Sequence, residues 1–368
     1  MECITLELRP RLQTCNAFIQ LKENISSKQI EVKASEESIT LIIGNEIINF
    51  LLKVIKIIPT SLSALSITNN WIYFRVQTKS DSAFGSIRTE IVTDLKPKTD
   101  FLKCTLDSTK LLAATAYTIL CTCCKNVICK TAFFKRVLPL PDIDYDLSEW
   151  FCCAHSCNSI STDLSPRESD LFYGPFFIVL HKKLFADHLK IDDNHVICNR
   201  CLKCLGELYA NDSFKIWSCC VDYGSTNDSA TKTATDPLTD FFLAIKTSLT
   251  GIFGEEIILR CLTKKETHSL VIKPMDWNLD IMTEPKVISD DNIISLQKKS
   301  VVKVLYKYKT NENVSDSIDV KYCEVPLPII EAGLKHLLLS TKRFPQLHRV
   351  ASDYYIGHIH LEKASNDI

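Results

Sequence analysis

The sequence predicts a mainly β protein with a few helices, an α+β chain. It is organised as an N-terminal β-sandwich-like sheet, a central β region built on cysteine knuckles, and a C-terminal α+β region. Three observations carry this. Short β-branched runs recur at regular spacing through the first hundred residues, cysteines cluster in the middle, and two helix patterns follow a polar, Ser/Thr-rich stretch. The boundaries read as 1–103, 104–223, a linker at 224–237, and 238–368.

In the first part, "ITLEL" (4–8), "AFIQLK" (17–22), "QIEVKA" (29–34) and "SITLII" (38–43) alternate or are β-branched, as half-buried strands do. "LSITNNWIYFRVQ" (65–77) predicts a hairpin turning at Asn69-Asn70, because asparagine tolerates positive φ. "SIRTEIV" (86–92) would complete about seven strands. In the middle, "FFKRVLPLP" (133–141) ends in prolines expected to stop a ladder, and "LFYGPFFIVLHKKL" (171–184) reads as a buried strand around Gly174-Pro175. "RESD" (167–170) reads as a solvated turn, and Cys219-Cys220 as core residues on a strand.

Beyond the linker, Asp236 is placed to cap a helix beginning at Pro237, with Leu238, Phe241, Phe242, Ile245 and Leu249 on one face. Strands are expected at "EEIILRCL", "HSLVIK", "VVKVLYKYK" and "IDVKYCEV". A second helix is expected over 328–340 and a last strand over 354–362. His358 and His360 alternate on that strand, a spacing read as surface or core placement rather than metal ligation.

The net charge of −1 argues against a nucleic-acid partner, which selects for a basic face. The most apolar window, 111–124, is too short to span a bilayer, and the start has no signal-peptide pattern. No membrane partner is therefore expected, and the expected compartment is reducing: cytoplasm or nucleus. Its four Asn-x-Ser sequons then carry no sugar. Nine glycines leave little for a phosphate-binding loop, and neither HExxH nor GxSxG occurs.

Seventeen cysteines in such a chain point to metal or thiol chemistry more than to disulfides. Two Cys-x-x-Cys pairs, Cys121–Cys124 and Cys198–Cys201, have the gap that lets both thiolates of a tight turn face one ion. Together they would close a four-thiolate structural zinc site. The competing readings are core packing and, more weakly, a disulfide. Polar Lys125, Asn126, Asn199 and Arg200 in the turns favour metal, and Cys204 is assigned to packing on the following strand. A third cluster, "EWFCCAHSC" (149–157), holds Cys152, Cys153, His155 and Cys157. It suits either more metal ligation and packing or a nucleophilic thiol activated by His155.

In order, "CTCCKNVI", "FFKRVLPLP", "EWFCC", "LSPRESDLFYGPFFIVL" and "VICNRCLKCLGE" resemble the HECT-like ubiquitin ligase family that binds ubiquitin-conjugating enzymes. The C-terminal "PLPIIEAGLKHLLLSTKRFP" and "YYIGHIHL" resemble that family's ending. The resemblance implies a ligase that accepts a ubiquitin-loaded conjugating enzyme and promotes transfer to substrate lysines, cyclin-type proteins among them, and to itself. By the same resemblance Cys121, Cys124, Cys198 and Cys201 match the family's paired knuckles. Cys152, with Cys153 beside it, matches the cysteine after its tryptophan, in a segment similar to its partner-docking motif. The helix near Pro237 would add conjugating-enzyme contact. A thioester-forming HECT ligase carries its cysteine near the C-terminus. Here the last is Cys323, so Cys152, Cys153 or Cys323 takes ubiquitin, or none does and the protein positions the loaded partner. A non-catalytic zinc-ribbon adaptor is the other reading. A zinc hydrolase needs an open coordination position that four thiolates do not leave.

Overall fold

The computed structural model describes residues 1–9, 12–24, 30–79, 116–140, 165–185, 188–225, 231–232, 235–249, 254–285, 292–311 and 320–360. The expected strand at 86–92 and the whole 149–157 cysteine cluster lie outside the described residues.

The N-terminal part forms β1 (Cys3–Arg9), β2 (Thr14–Gln20), β3 (Ile30–Ala34), β4 (Ser38–Ile43), β5 (Glu46–Leu51), β6 (Ile57–Thr68) and β7 (Trp71–Thr78). The β6–β7 turn falls at Asn69-Asn70, with Asn69 at φ 54°, the left-handed conformation that asparagine accepts. Strands β3–β5 lie in a separate, four-stranded sheet whose remaining edge, beside β5, is a parallel strand from the C-terminal part, Ile293–Ser295. Ile39, Leu41 and Phe50 of this sheet pack with Leu6, Ile72 and Phe74 of the other sheet in one apolar cluster, the sandwich-like arrangement expected of this part.

The middle part forms β8 (Ala116–Cys121), β9 (Val127–Phe133), β10 (Arg136–Pro139), β11 (Asp170–Tyr173), β12 (Phe177–His181), β13 (Leu189–Asp192), β14 (His195–Cys198), β15 (Cys204–Ala210), β16 (Ser213–Trp217), β17 (Val221–Ser225) and β18 (Thr231–Lys232). Three local expectations change here. The run around Gly174-Pro175 is two antiparallel strands, β11 and β12, rather than one. Gly174 sits at their turn, donating its N–H to the Phe177 carbonyl, and a Cβ there would lie 2.4 Å from the Phe177 ring. The prolines of "RVLPLP" do not stop the ladder at once, since Pro139 still pairs with Tyr173. Strand β10 lies at the sheet edge, where a missing N–H is tolerated. Asp170 of "RESD" is buried, not solvated, and Arg136 of the adjacent strand grips both its carboxylate oxygens. This pairing holds the Asp170 carboxyl below its ordinary range. Cys219 and Cys220 are core as expected, but on a 3-10 turn (218–220) rather than a strand.

The C-terminal part forms α1 (Pro237–Ser248), β19 (Glu256–Leu262), β20 (Thr267–Thr283), β21 (Ile293–Ser295), β22 (Gln297–Thr310), β23 (Val320–Glu324), α2 (Leu327–Thr341), β24 (Val350–Ala351) and β25 (Tyr354–His360). Asp236 caps α1, its side chain accepting the Thr239 N–H at 3.0 Å, and Phe241, Ile245 and Leu249 are buried as the helical period required.

The largest sheet has ten strands and runs β24-β25-β22-β20-β1-β2-β7-β6, with β19 on β20 and β23 on β19. Strand β20 makes this possible. Its first half pairs with β19, the ladder shifts register around Pro274–Leu279, and its last residues pair with β1. The two ends of the chain are thereby joined through one sheet. A second sheet, β10-β11-β12-β16-β15-β14-β13, and a third, β18-β17-β8-β9, carry the two cysteine knuckles. No helix among the described residues is long and apolar enough to cross a membrane.

Helices α1 and α2 cross at Gly333, where a Cβ would lie 2.2 Å from the Phe241 ring, itself fully buried. Gly333→Ala is therefore expected to destabilise the chain by about 1–2 kcal/mol in chemical denaturation. Overpacking of about 1–3 kcal/mol outweighs the gain of about 1 kcal/mol in helix propensity. A more stable alanine variant would show that the crossing has room.

Candidate metal centre

Each Cys-x-x-Cys pair sits at the tip of a hairpin, the first joining β8 to β9 and the second joining β14 to β15. The two turns share one backbone plan. Cys121 N–H donates to the Asn126 carbonyl at 2.9 Å, and Cys198 N–H to the Lys203 carbonyl at 3.0 Å. Lys125 N–H returns to the Cys121 carbonyl at 2.9 Å, and Leu202 N–H to the Cys198 carbonyl at 3.0 Å. The residue after each second cysteine is left-handed, Lys125 at φ 55° and Leu202 at φ 61°, which folds the chain back into the next strand. Behind the second turn, Gly206 lets β15 pass close over β16. A Cβ there would lie 1.9 Å from the Lys215 carbonyl oxygen.

The four sulfurs of Cys121, Cys124, Cys198 and Cys201 all lie within 4.8 Å of one another. Two pairs cross between the turns, Cys121 Sγ to Cys201 Sγ and Cys124 Sγ to Cys198 Sγ, both at 3.7 Å. Four thiolates about 2.3 Å from a central ion stand at the corners of a tetrahedron with edges of about 3.8 Å. The observed crossings have that length and are far longer than the roughly 2.05 Å of a disulfide. The donor set, its spacing and its count therefore fit a tetrahedral metal ion. Cys121 and Cys198 are buried and Cys124 and Cys201 half-buried, so an ion between them would have no free coordination position.

Backbone dipoles favour charge on these sulfurs. Burial opposes ionisation of Cys198, yet the N–H groups of Cys201 and Arg200 together with the neighbouring thiols of Cys124 and Cys201 outweigh it and bring its pKa down to about 7. Burial pushes Cys121 up to about 12. Asn126 Nδ2 lies 3.9 Å from Cys198 Sγ, and Lys125 pairs with the buried Asp222 of β17 at 2.6 Å, tying the first turn to the neighbouring strand.

Cys204 is not packing. It begins β15 exposed, and lines a cavity of about 400 Å³ with Leu202, Trp217, Leu262 and Pro326. Cys323 lies on β23, half-buried, and burial pushes its thiol up to about 11; Cys261 on β19 rises to about 12 for the same reason. Cys152 and Cys153 lie outside the described residues. His358 is a core residue beneath α2, its backbone N–H bonded to Ser340 Oγ at 2.6 Å. What the sequence reading missed are the side chains that cross between the knuckles, from Asn126 and Lys203. Their equal distance from the first cysteine of each turn was a legible signal.

The chain spans less than half the length of the curated relatives it matches. It is 27% identical to an E3 ubiquitin-protein ligase of Rattus norvegicus over 180 residues, 47% of this chain and 44% of the relative. A Mus musculus protein of the same name is 32% identical over 109 residues, 29% of each chain. The Homo sapiens one is 25% identical over 187 residues, 44% of this chain and 43% of the relative. No solved structure matches. The family model for HECT-like ubiquitin-conjugating enzyme (E2)-binding proteins matches residues 7–356, from β1 through both knuckles and both helices to β25. On that match, across nearly the whole chain, the protein belongs to the HECT-like E2-binding family.

Proposed function

We propose that this chain is an E3 ubiquitin-protein ligase. It binds a ubiquitin-loaded conjugating enzyme and promotes transfer of ubiquitin to substrate lysines and to itself, on a scaffold closed by one structural zinc ion. The observation that carries the reading is the family match over residues 7–356, supported by relatives that bear the ligase name. Four closed thiolate positions make the metal a structural element, since an all-sulfur site offers neither an open position nor a bound water. Zinc suits this donor set because it is tetrahedral, redox-inert and thiophilic.

The chemistry then rests on presenting the loaded partner. Transthiolation requires a thiolate to attack the thioester carbonyl of the loaded partner, and burial keeps Cys323 and Cys261 protonated at neutral pH. The acceptor assignment therefore stays with Cys152, with Cys153 beside it. The same loaded partner can also be aligned for direct attack by a substrate amine, which needs orientation alone. Cyclin-type proteins are the proposed substrates, and cytoplasm and nucleus the proposed compartments.

The test incubates the chain with ubiquitin-charged conjugating enzyme and follows discharge together with any thiol-sensitive ubiquitin adduct. Accelerated discharge is expected, with an adduct that survives Cys323→Ser and disappears in Cys152→Ser or Cys153→Ser. Discharge without an adduct assigns transfer to positioning. Binding of the conjugating enzyme with no accelerated discharge would overturn the ligase reading in favour of a non-catalytic adaptor.

A further inference from the structure

Within each knuckle the hydrogen bonds described above are made by backbone; between the knuckles, side chains make them. Two residues past the second cysteine of each turn, a polar side chain crosses to the residue just after the first cysteine of the other. Asn126 Nδ2 donates to Asn199 Oδ1 at 3.0 Å, and Lys203 Nζ donates to Thr122 Oγ1 at 2.9 Å. The crossings are related by the same pseudo-two-fold exchange that relates the two 3.7 Å sulfur pairs.

We infer that Asn126 and Lys203 are paired positioning residues of the metal centre. They hold the two half-sites in tetrahedral register and set how tightly and how slowly the ion is released. The inference rests on the four-cysteine zinc reading. The half-sites come from different sheets, β8–β9 from one and β14–β15 from the other, so nothing in either hairpin alone fixes the distance between the two sulfur pairs. The crossed donors supply that constraint at the rim of the cluster.

The pair is symmetric in position but not in charge. Four thiolates around a divalent ion carry a net charge of −2, and Lys203 brings a positive charge to Thr122, the residue next to Cys121. Thr122, which accepts from Lys203, is itself anchored, its N–H and Oγ1 both donating to the Cys220 carbonyl at 3.1 Å. Lys203 thus connects the second knuckle, through Thr122, to the turn that joins β16 to β17. Asn126 supplies a neutral donor that also lies near Cys198 Sγ. Residues of this outer kind commonly alter metal affinity by about 10–100-fold when removed.

The experiment uses the zinc-loaded full chain, competed against a chromogenic zinc chelator. Asn126→Ala and Lys203→Met are each expected to weaken zinc binding about 10–100-fold and to speed its release. Lys203→Arg should restore most of the loss, and Lys130→Met, an exposed lysine on β9, should change nothing. Cobalt-substituted protein gives a second readout. The ligand-field bands of the Asn126 and Lys203 variants should shift while four thiolates remain bound. A wild-type chain that takes up no metal would overturn the zinc reading itself. A metal-binding wild type whose two variants keep its affinity, release rate and cobalt spectrum would overturn the roles of Asn126 and Lys203 alone. So would an affinity loss that only tracks a lower melting temperature of the metal-free variants.

Discussion

Cys198→Ser is expected to cost the chain its zinc and the folded state of its middle region. Elemental analysis should fall from one equivalent to near zero. The denaturation midpoint should drop to that of wild type stripped by a chelator, and added chelator should have no further effect. The size follows from linkage, because a site absent from the unfolded chain contributes its binding free energy to folding. Structural zinc sites bind with about 10–16 kcal/mol at neutral pH in small peptides. The stabilisation here is set by the free zinc concentration and by whatever the metal-free fold retains, and several kcal/mol is expected to disappear. Cys129→Ser is the control. Cys129 is as buried as Cys198 but lies outside the four-sulfur cluster, so its replacement should cost stability without costing metal. A Cys198→Ser chain that keeps a full equivalent would refute the centre.

How much of this was legible beforehand depends on the range of the interaction. The Asn69-Asn70 turn and the Asp236 cap are encoded within four residues, and both were readable, because φ preference and a capping oxygen act locally. The Cys-x-x-Cys pairs were readable because two thiolates in one turn already define half a tetrahedron. Their convergence was an expectation, and the 3.7 Å crossings now supply the distances for it. What stayed hidden is the set of partners. Alternation shows which face of β1 is buried but not that β20, more than 250 residues on, lies beside it. Asp170 looked like a solvated turn residue because its partner Arg136 belongs to a different segment. Cys204 looked like packing because cysteine usually is, and only the bulged pairing of β14 with β15 leaves it facing a cavity. Strand β5 gives little signal because "EIINFL" is short and scarcely alternates.

Glu7→Ala is expected to destabilise the chain by about 3–5 kcal/mol in chemical denaturation, the usual cost of breaking one partner out of a buried ion pair. Glu7 lies on β1, 1% exposed, and its carboxylate accepts Lys303 Nζ at 2.9 and 2.8 Å and Arg9 Nε and Nη2 at 3.1 Å. Lys303 on β22 stands opposite His358 on β25, whose Nε2 is 3.7 Å from Glu7. One carboxylate thus joins the first strand of the chain to two of the last. Burial disfavours its charge, but His358 and Lys303 outweigh that effect and hold the Glu7 carboxyl far below the usual carboxylate range. The sign of the pH dependence follows. A carboxyl with a lower pKa in the folded state contributes fully above its unfolded value near 4.5, and that contribution fades as pH falls below it. Wild type should therefore lose stability between about pH 5 and pH 3 more steeply than Glu7→Ala. The double variant Glu7→Leu with Lys303→Met separates two explanations. If the loss in Glu7→Ala comes from stranding the Lys303 ammonium, removing both charges and refilling the space should recover most of it. If the double variant is as unstable as Glu7→Ala, the ion pair itself supplies the stability, through geometry that apolar side chains cannot replace.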